Sequence, residues 1–523
     1  MSLVSALLWI AIALLLLYRF YLKNIKRPPN YPPGPPRLPI LEDYGILLLL
    51  NPRHLHRATA RLANFYRTKV LGLSLAGTPA IVVRDGDTAR KLLTRRELDG
   101  RPDIFVARMR QQEFKLRGIS FIDGPDWKEQ RWFFLRHLRD YGFGRRSEQY
   151  EQLVEDELQK LVGLLSSAHG RYEYECDFVR EAGIVKCPDV FLVTLSNIFL
   201  QVVIGERYDR ANAKSLLKAG RKATLFARNA DDYGTIFTYL PWLRFVFPFT
   251  IKYNKLRSGA MGLNHFLEVI IDKQMQTFDP NGLRNFVDMW LRESRNHVPQ
   301  NNQVGYDNDQ LVLALADCFI PATVGIAIQL SMLLERLLLN PNVLSRMHQE
   351  VDDAVDSERL PTLDDRVNLP YTEATIREAL RIDTLIPSGI VHRTQQNVSF
   401  QEYNVKENTL FLFDLDGINN QTEVWGDPRT FRPDRFLDEQ TGGLVLSKDR
   451  SLPFSVGKRE CPGQTHTRNI MFLVVATLVQ RFDVRPRESD RLPDLSTRQT
   501  GLLQGPNDFW VQFVPRRGNG SVK

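Results

Sequence analysis

Cysteine is scarce in this 523-residue sequence: Cys176, Cys187, Cys318 and Cys461 are all there are, and no two stand at C-x-x-C or another close metal-ligand spacing. Zinc and disulfide frameworks are thereby excluded. A reducing compartment fits, because a lone thiol survives there as a ligand. Internal repeats and Gly/Ser-rich linkers are absent too, so a single large helical fold can replace the roughly three domains that length alone suggests. No segment concentrates one charge, since 69 Lys and Arg against 61 Asp and Glu give a formal +8 spread along the chain. That balance favours a basic face toward a membrane or an acidic partner and gives no sign of nucleic-acid binding. With 43% hydrophobic and 25% charged residues, the composition excludes disorder, collagen-like repeats and a polytopic membrane protein.

What is present begins at the N-terminus. Ser2 to Tyr18 carry no charge and are dominated by Leu, Ile and Ala, near the short end of what spans a bilayer at about 1.5 Å per residue. Phe20, Tyr21 and Leu22 extend the run past Arg19. A cleaved signal peptide needs a basic segment before the apolar run and a small-x-small site after it, and neither is evident. An uncleaved membrane anchor over residues 1–22 is therefore expected. Lys23, Lys26 and Arg27 follow it and no Lys or Arg precedes it, which places the rest of the chain in the cytosol. Residues 23–36 read as a basic and proline-rich hinge, with "YPPGPPRLP" from Tyr31 to Pro39 as a stiff extended spacer.

"PFSVGKRECPG", from Pro453 to Gly463, sets Phe454, Gly457, Arg459, Cys461 and Gly463 at F-x-x-G-x-R-x-C-x-G spacing. A cysteine thiolate is a soft anionic ligand for iron. Gly457 and Gly463 admit close approach of backbone to a prosthetic group and to the sulfur, and Arg459 offers a charge-assisted donor to a carboxylate. Pro462 has no N–H, so the donors that temper the sulfur are expected at Gly463 and Gln464. For Cys176, Cys187 and Cys318 the bland reading, a buried small hydrophobe, holds.

Two further constellations keep the same order along the chain. "YTEATIREALRIDT" reads as a helix opened after Pro370, with Thr372 at its N-cap and Glu378 and Arg381 on one face. "FRPDRF" with Arg435 follows some way on, between Trp425-Gly426-Asp427-Pro428 and the cysteine loop. Earlier, "DGPDWKEQRWFFLRHLRDYGFGRR" places Trp127 and Arg131 four residues apart on one helical face. Alone, the first pair is a common surface ion pair and the second an amphipathic basic helix.

Together these motifs resemble the cytochrome P450 family along nearly the whole chain, in wording nearest to animal microsomal members and to insect ones especially. The resemblance implies a mainly α fold with a smaller β region, preceded by a single N-terminal transmembrane anchor, and one haem domain over residues 37–523. It implies haem b with Cys461 as axial thiolate; Arg101, Trp127, Arg131, His392 and Arg459 as propionate contacts; Phe454, Gly457 and Gly463 shaping the loop; and Glu378, Arg381 and Arg435 as a structural triad. It further implies NADPH-derived electrons delivered by NADPH-cytochrome P450 reductase, with cytochrome b5 as a second candidate, a lipophilic small-molecule substrate beside the lipid bilayer, and an endoplasmic reticulum membrane location.

The pattern fails at one place. The apolar segment from about Asn308 to Leu339 reads as a buried central helix, which in the family crosses the distal face of the haem with an A-G-x-(D/E)-T-T pattern that handles protons. Here Pro321, Ala322, Thr323, Val324, Gly325 and Ile326 occupy those positions. Thr323 points about 200° away from the alcohol's position, and Asp317 lies about 10 Å along the axis from Val324. Pro321 removes an N–H, so a kink or local opening is expected. Thr467 replaces a usual Ala, and "QEYNVKENTLF" lacks the usual Gly and Pro. No catalytic residue is therefore assigned on this helix. Monooxygenation of a lipophilic substrate is the first reading. The alternatives are a haem-thiolate isomerase or dehydratase acting on an oxygenated lipid, and a catalytically impaired haem-containing ligand-binding protein.

Overall fold

The computed structural model describes residues 30–37 and 41–516, except 168–169, 181–182, 232, 297–303 and 488–491, together with seven scattered positions between Trp9 and Arg19. The anchor expected over 1–22 and the hinge as far as Pro29 otherwise lie outside the described residues. The hinge from Asn30 onward is extended but does not stand free as a spacer. Pro33 accepts the Gly72 N–H at 2.8 Å, the Tyr31 hydroxyl reaches the Ala80 carbonyl at 3.0 Å, and Asn30 accepts from Asn404 at 2.9 Å. An extended segment carries bare backbone groups, and a sheet margin satisfies them.

The strands form four small sheets among the described residues. β1 (Val70–Leu75) and β2 (Thr78–Val83) form an antiparallel hairpin. After them come β3 (Ile184–Cys187), β4 (His392–Arg393), β5 (Val398–Phe400), β6 (Tyr403–Val405) and β7 (Leu410–Phe413). β7 runs parallel to β2 and antiparallel to β4, giving the order β1-β2-β7-β4. β8 (Phe482–Pro486), β9 (Arg498–Gln499), β10 (Gly505–Pro506) and β11 (Phe509–Pro515) complete the small C-terminal sheets.

The body is helical. Its main helices are α1 (Asp43–Leu50), α2 (Leu55–Phe65), α3 (Gly86–Leu93), α4 (Gly124–Asp140), α5 (Glu148–Ser166), α6 (Asp189–Ile204), α7 (Lys214–Asn229), α8 (Phe249–Gln276), α9 (Phe286–Asn296), α10 (Asn308–Leu339), α11 (Pro341–Ala354), α12 (Pro370–Ile382) and α13 (Gln464–Arg481). By length and apolarity α10 could cross a membrane, but 78% of its apolar window is buried against neighbouring helices, so it is the core helix expected. The Asp307 carboxylate caps it by accepting the Gln310 N–H at 2.8 Å. The opening expected at Pro321 takes the form of a π-helical stretch, Ile320–Gly325, inside a helix that continues to Leu339.

α12 begins at Pro370, as expected, but Thr372 is not its cap. The Glu350 carboxylate of α11 takes the Tyr371 and Thr372 N–H groups, at 2.6 and 2.8 Å, and the Thr372 hydroxyl as well. The helix starts at Pro370 with Leu369 at the N-cap, which sets Thr372 three residues past the cap, so a carboxylate from a neighbouring helix serves instead.

Glu378, Arg381 and Arg435 do come together. Arg381 grips Glu378 through two parallel bonds of 2.7 and 2.8 Å, Arg435 reaches the same carboxylate at 3.0 Å, and the first two side chains are wholly buried. Arg381 also donates to the Asn419 carbonyl at 2.9 Å, and the Asn419 side chain accepts the Leu452 N–H at 2.7 Å, so the triad extends to the start of the cysteine loop. Glu378→Ala leaves the wholly buried Arg381 without its carboxylate partner and is expected to cost about 3–5 kcal/mol. Arg432→Ala, which removes only a half-exposed pair with Asp427, is expected to stay within about 0.5 kcal/mol. Thermal unfolding of the two variants checks the contrast.

Candidate functional site

Backbone turns fix the cysteine loop before α13 begins. The Cys461 N–H closes onto the Phe454 carbonyl at 2.9 Å, and Glu460 onto Gly457 at 3.1 Å. Gly457 has φ +87°, and a Cβ there would lie 2.1 Å from the Leu93 carbonyl oxygen at the end of α3. Glycine is required there by packing against α3. Gly463 differs: its nearest neighbours, Phe143 Cζ at 3.5 Å and Cys461 Sγ at 3.9 Å, are at ordinary contact distance.

Burial pushes the Cys461 thiol above its ordinary value, while the Gly463 N–H and the Arg131 charge pull it down. Of the two expected donors, Gly463 is the one that acts on the sulfur. Across from it stands α10. Burial raises the Cys318 thiol as well, and Cys318 feels both Cys461 and Arg131. Cys318 and Cys461 keep accessible surface although both are deep in the protein, and Pro321 is exposed among buried neighbours. These residues mark an internal cleft with the cysteine loop on one side and α10 on the other. On α10, the Thr323 hydroxyl bonds back to the Phe319 carbonyl at 2.7 Å and Val324 is fully buried.

One end of the cleft is cationic. Arg101 donates to the Val391 carbonyl at 3.0 Å and the Ser120 carbonyl at 3.2 Å. Arg459 donates to Asp99 and Ile122 carbonyls at 2.8 and 2.9 Å, with its guanidinium 3.6 Å from the buried Trp127 ring. Arg131, on α4, donates to the carbonyl of Glu460, the residue before Cys461, at 2.9 Å. Burial, then mutual repulsion, pushes Arg101 down to about 9 and Arg459 down to about 8. The nearby acids are engaged elsewhere: Asp123 with Arg393 at 2.6 Å, Asp99 with Lys458 at 3.9 Å. Among the described residues, none of the three guanidiniums forms an ion pair with a carboxylate, and each keeps uncommitted donors. His392 is held neutral by burial and by Arg101, and its Nδ1 donates to the Leu98 carbonyl at 2.7 Å. Its second nitrogen can therefore donate to a carboxylate only as imidazolium.

This donor set fits a haem. The Cys461 thiol would give iron one sulfur ligand, and three under-compensated cations would give partners to two propionates. Among the described residues no group of three or more His, Cys, Asp or Glu side chains is arranged to hold a metal.

Sequence reasoning missed other parts of the site. Arg110 pairs with Asp317 of α10 in a buried bridge, and Asp317 also accepts the Ile119 and Ser120 N–H groups at 2.7 and 2.9 Å. Asp317 is thus an anchor for the 107–120 segment, consistent with its being too distant for proton delivery. His466, buried on α13, stacks on Phe143 with ring centroids 4.4 Å apart and meets the Tyr150 hydroxyl at 3.3 Å. Neither had a local signal; the departure noted nearby was Thr467.

Gly457→Ala is expected to displace the loop and lower the haem-to-protein absorbance ratio of purified protein. Gly463→Ala, with no overlap to relieve, is expected to keep it.

A family model described as Cytochrome P450 matches residues 32–513. Cytochrome P450 2J3 of Rattus norvegicus is 29% identical over 481 residues, covering 90% of this chain and 89% of that protein. Farnesoate epoxidase of Bombyx mori is 29% identical over 494 residues, covering 94% and 95%. Cytochrome P450 2U1 of Homo sapiens is 27% identical over 517 residues, covering 94% and 90%.

Proposed function

The chain belongs to the cytochrome P450 family of haem-thiolate monooxygenases, and from that premise we propose that Cys461 ligates its iron and that it inserts one oxygen atom from O₂ into a lipophilic substrate. The observation that carries this is the placement of Cys461 across a cleft from α10, with Arg101, Arg131 and Arg459 gathered at one end. Haem, when bound, supplies the oxygen and electron chemistry. Arg101, Arg131 and Arg459 would hold its carboxylates, with the neutral His392 beside them taking a proton only against a bound carboxylate. Trp127 supports Arg459, and the Gly463 N–H tempers the sulfur.

Electrons come from NADPH through a reductase in this family. The face of α4 turned away from Trp127 presents exposed Lys128, Trp132, Arg136 and Arg139 beside the cysteine loop, which suits an acidic redox partner. The anchor over 1–22 would hold the domain on the cytosolic side of the endoplasmic reticulum membrane. Exposed Leu49, Trp242, Phe245 and Phe247 add apolar surface that favours contact with lipid. The name of the silkworm relative states epoxidation of farnesoate, and a lipid of that kind suits the exposed Pro321 and the apolar character of α10 around it.

α10 sets the rate. Val324 holds no proton, Gly325 has no hydroxyl, and the Thr323 hydroxyl is committed to Phe319. Loss of positioned proton transfer typically costs about 10²- to 10⁴-fold, so slow or uncoupled turnover is expected. The same observation favours one second reading, rearrangement of an already oxygenated lipid, which needs neither reductase nor O₂.

Purified protein with a reductase and candidate lipids, assayed together for NADPH use, peroxide and product, separates the readings. Coupled product supports monooxygenation, and conversion of a lipid peroxide without reductase supports the second reading. Val324→Glu with Gly325→Thr is expected to raise the product formed per NADPH consumed. An unchanged or lower ratio would mean that α10 uses another proton route.

A further inference from the structure

We propose that Tyr150 and His466, paired behind the cysteine loop, position Phe143 against Gly463 and so hold the Gly463 N–H on the Cys461 sulfur. This rests on the reading of Cys461 as the iron ligand and names the residues that keep its donor in place.

Gly463 is the residue whose freedom matters. It immediately precedes α13, and its carbonyl is fixed by the Thr467 N–H at 2.8 Å. Its own N–H lies outside the ladder of helical hydrogen bonds. Glycine backbone adopts many conformations, so the aim of that N–H depends on what packs against it. A Cβ on Gly463 would lie 3.5 Å from Phe143 Cζ and 3.9 Å from both Phe143 Cε1 and Cys461 Sγ. The aromatic ring and the sulfur therefore meet the same face of the glycine, and the ring limits how far the peptide can turn away.

Phe143 is itself placed by three elements. It is buried in the turn between α4 and α5, flanked by Gly142 at φ +94° and Gly144 at φ +73°. A Cβ at Gly142 would lie 2.6 Å from Tyr150 Cγ, so glycine there lets the first turn of α5 close on Phe143's turn. From α13, the buried His466 ring stacks on Phe143 with the planes 21° apart, and its Nδ1 meets the Tyr150 hydroxyl at 3.3 Å. Burial holds the His466 imidazole down at about 4 and pushes the Tyr150 phenol up, so the pair is neutral at physiological pH.

An apolar side chain at position 466 could fill the same space but would be free to slide along Phe143. A buried imidazole is costly without a polar partner, so its bond to Tyr150 fixes the plane on which Phe143 rests. Orientation is thus passed from α5 through two stacked rings to the peptide that faces the sulfur. His466 and Tyr150 are positioning residues, since neither touches the sulfur.

Redox titration of the full-length holoprotein, together with the decay of its ferrous–carbonyl absorption band, tests this without turnover. His466→Ala is expected to lower the ferric–ferrous midpoint potential, because a sulfur that loses its donor gives more electron density to iron. The long-wavelength band is expected to decay about 2- to 10-fold faster, the effect of one hydrogen bond. Tyr150→Phe, which removes one hydroxyl and keeps the ring on Gly142, is expected to move both readouts in the same direction, and the double variant to go no further than His466→Ala. Phe482→Leu, at the opposite end of α13 against Phe513, is expected to lower thermal stability and leave potential and band unchanged. Where His466→Ala takes up no haem, Tyr150→Phe alone decides. A potential and band unmoved in these variants, or effects of the two substitutions that add independently, overturns the inference. Absence of the long-wavelength band from the native protein contradicts ligation by Cys461, and this inference with it.

Discussion

Charge in a buried cleft is the constraint on which the rest of this structure depends. A thiolate taken out of water is costly unless a cation faces it, and buried guanidiniums are costly unless anions do. Both problems occur here within one cleft: burial opposes ionisation of Cys461, and it lowers Arg101 and Arg459 while they repel each other. One prosthetic group with a metal cation at its centre and carboxylates at its edge answers both, with no need for a further acid or base from the chain.

The remaining architecture keeps the two charged regions in register. From Glu378 and Arg381 the contacts pass through Asn419 to Leu452 and so to the loop that ends at Cys461. Arg131 ties α4 to the carbonyl beside that cysteine, and Arg459 returns from the loop to Asp99 and Ile122. On the distal side, the Asp317–Arg110 bridge fastens the 107–120 segment to α10. The polar contacts specify geometry, while the apolar core of α6, α10 and α13 supplies cohesion.

What could be read from the sequence divides along a physical line. The cysteine loop, the Glu378–Arg381 pair and the extent of α10 are written in short-range spacing, apolar runs and terminal residues, and the structure reproduces them. Partners chosen by tertiary packing left no such trace. Arg110 and Asp317 are far apart along the chain, Glu350 caps a helix it does not belong to, and the hinge docks on a sheet instead of standing clear. The packing of Gly457 against Leu93 had no trace in the sequence either, because only the folded chain brings the two together. Pro321 announced a break in α10, yet whether that meant a kink or a π-helical stretch depended on packing around it.

Absence of the acid and alcohol from α10 concerns how protons are handled, not whether the sulfur is held, so the two can be examined separately. The most direct measurement for the central claim is the absorption spectrum of the reduced protein under carbon monoxide, native against Cys461→Ala. The native protein is predicted to show the long-wavelength band of a thiolate-ligated haem, and the variant to lose that band or the haem itself. A variant that keeps the haem and the same band would contradict the account.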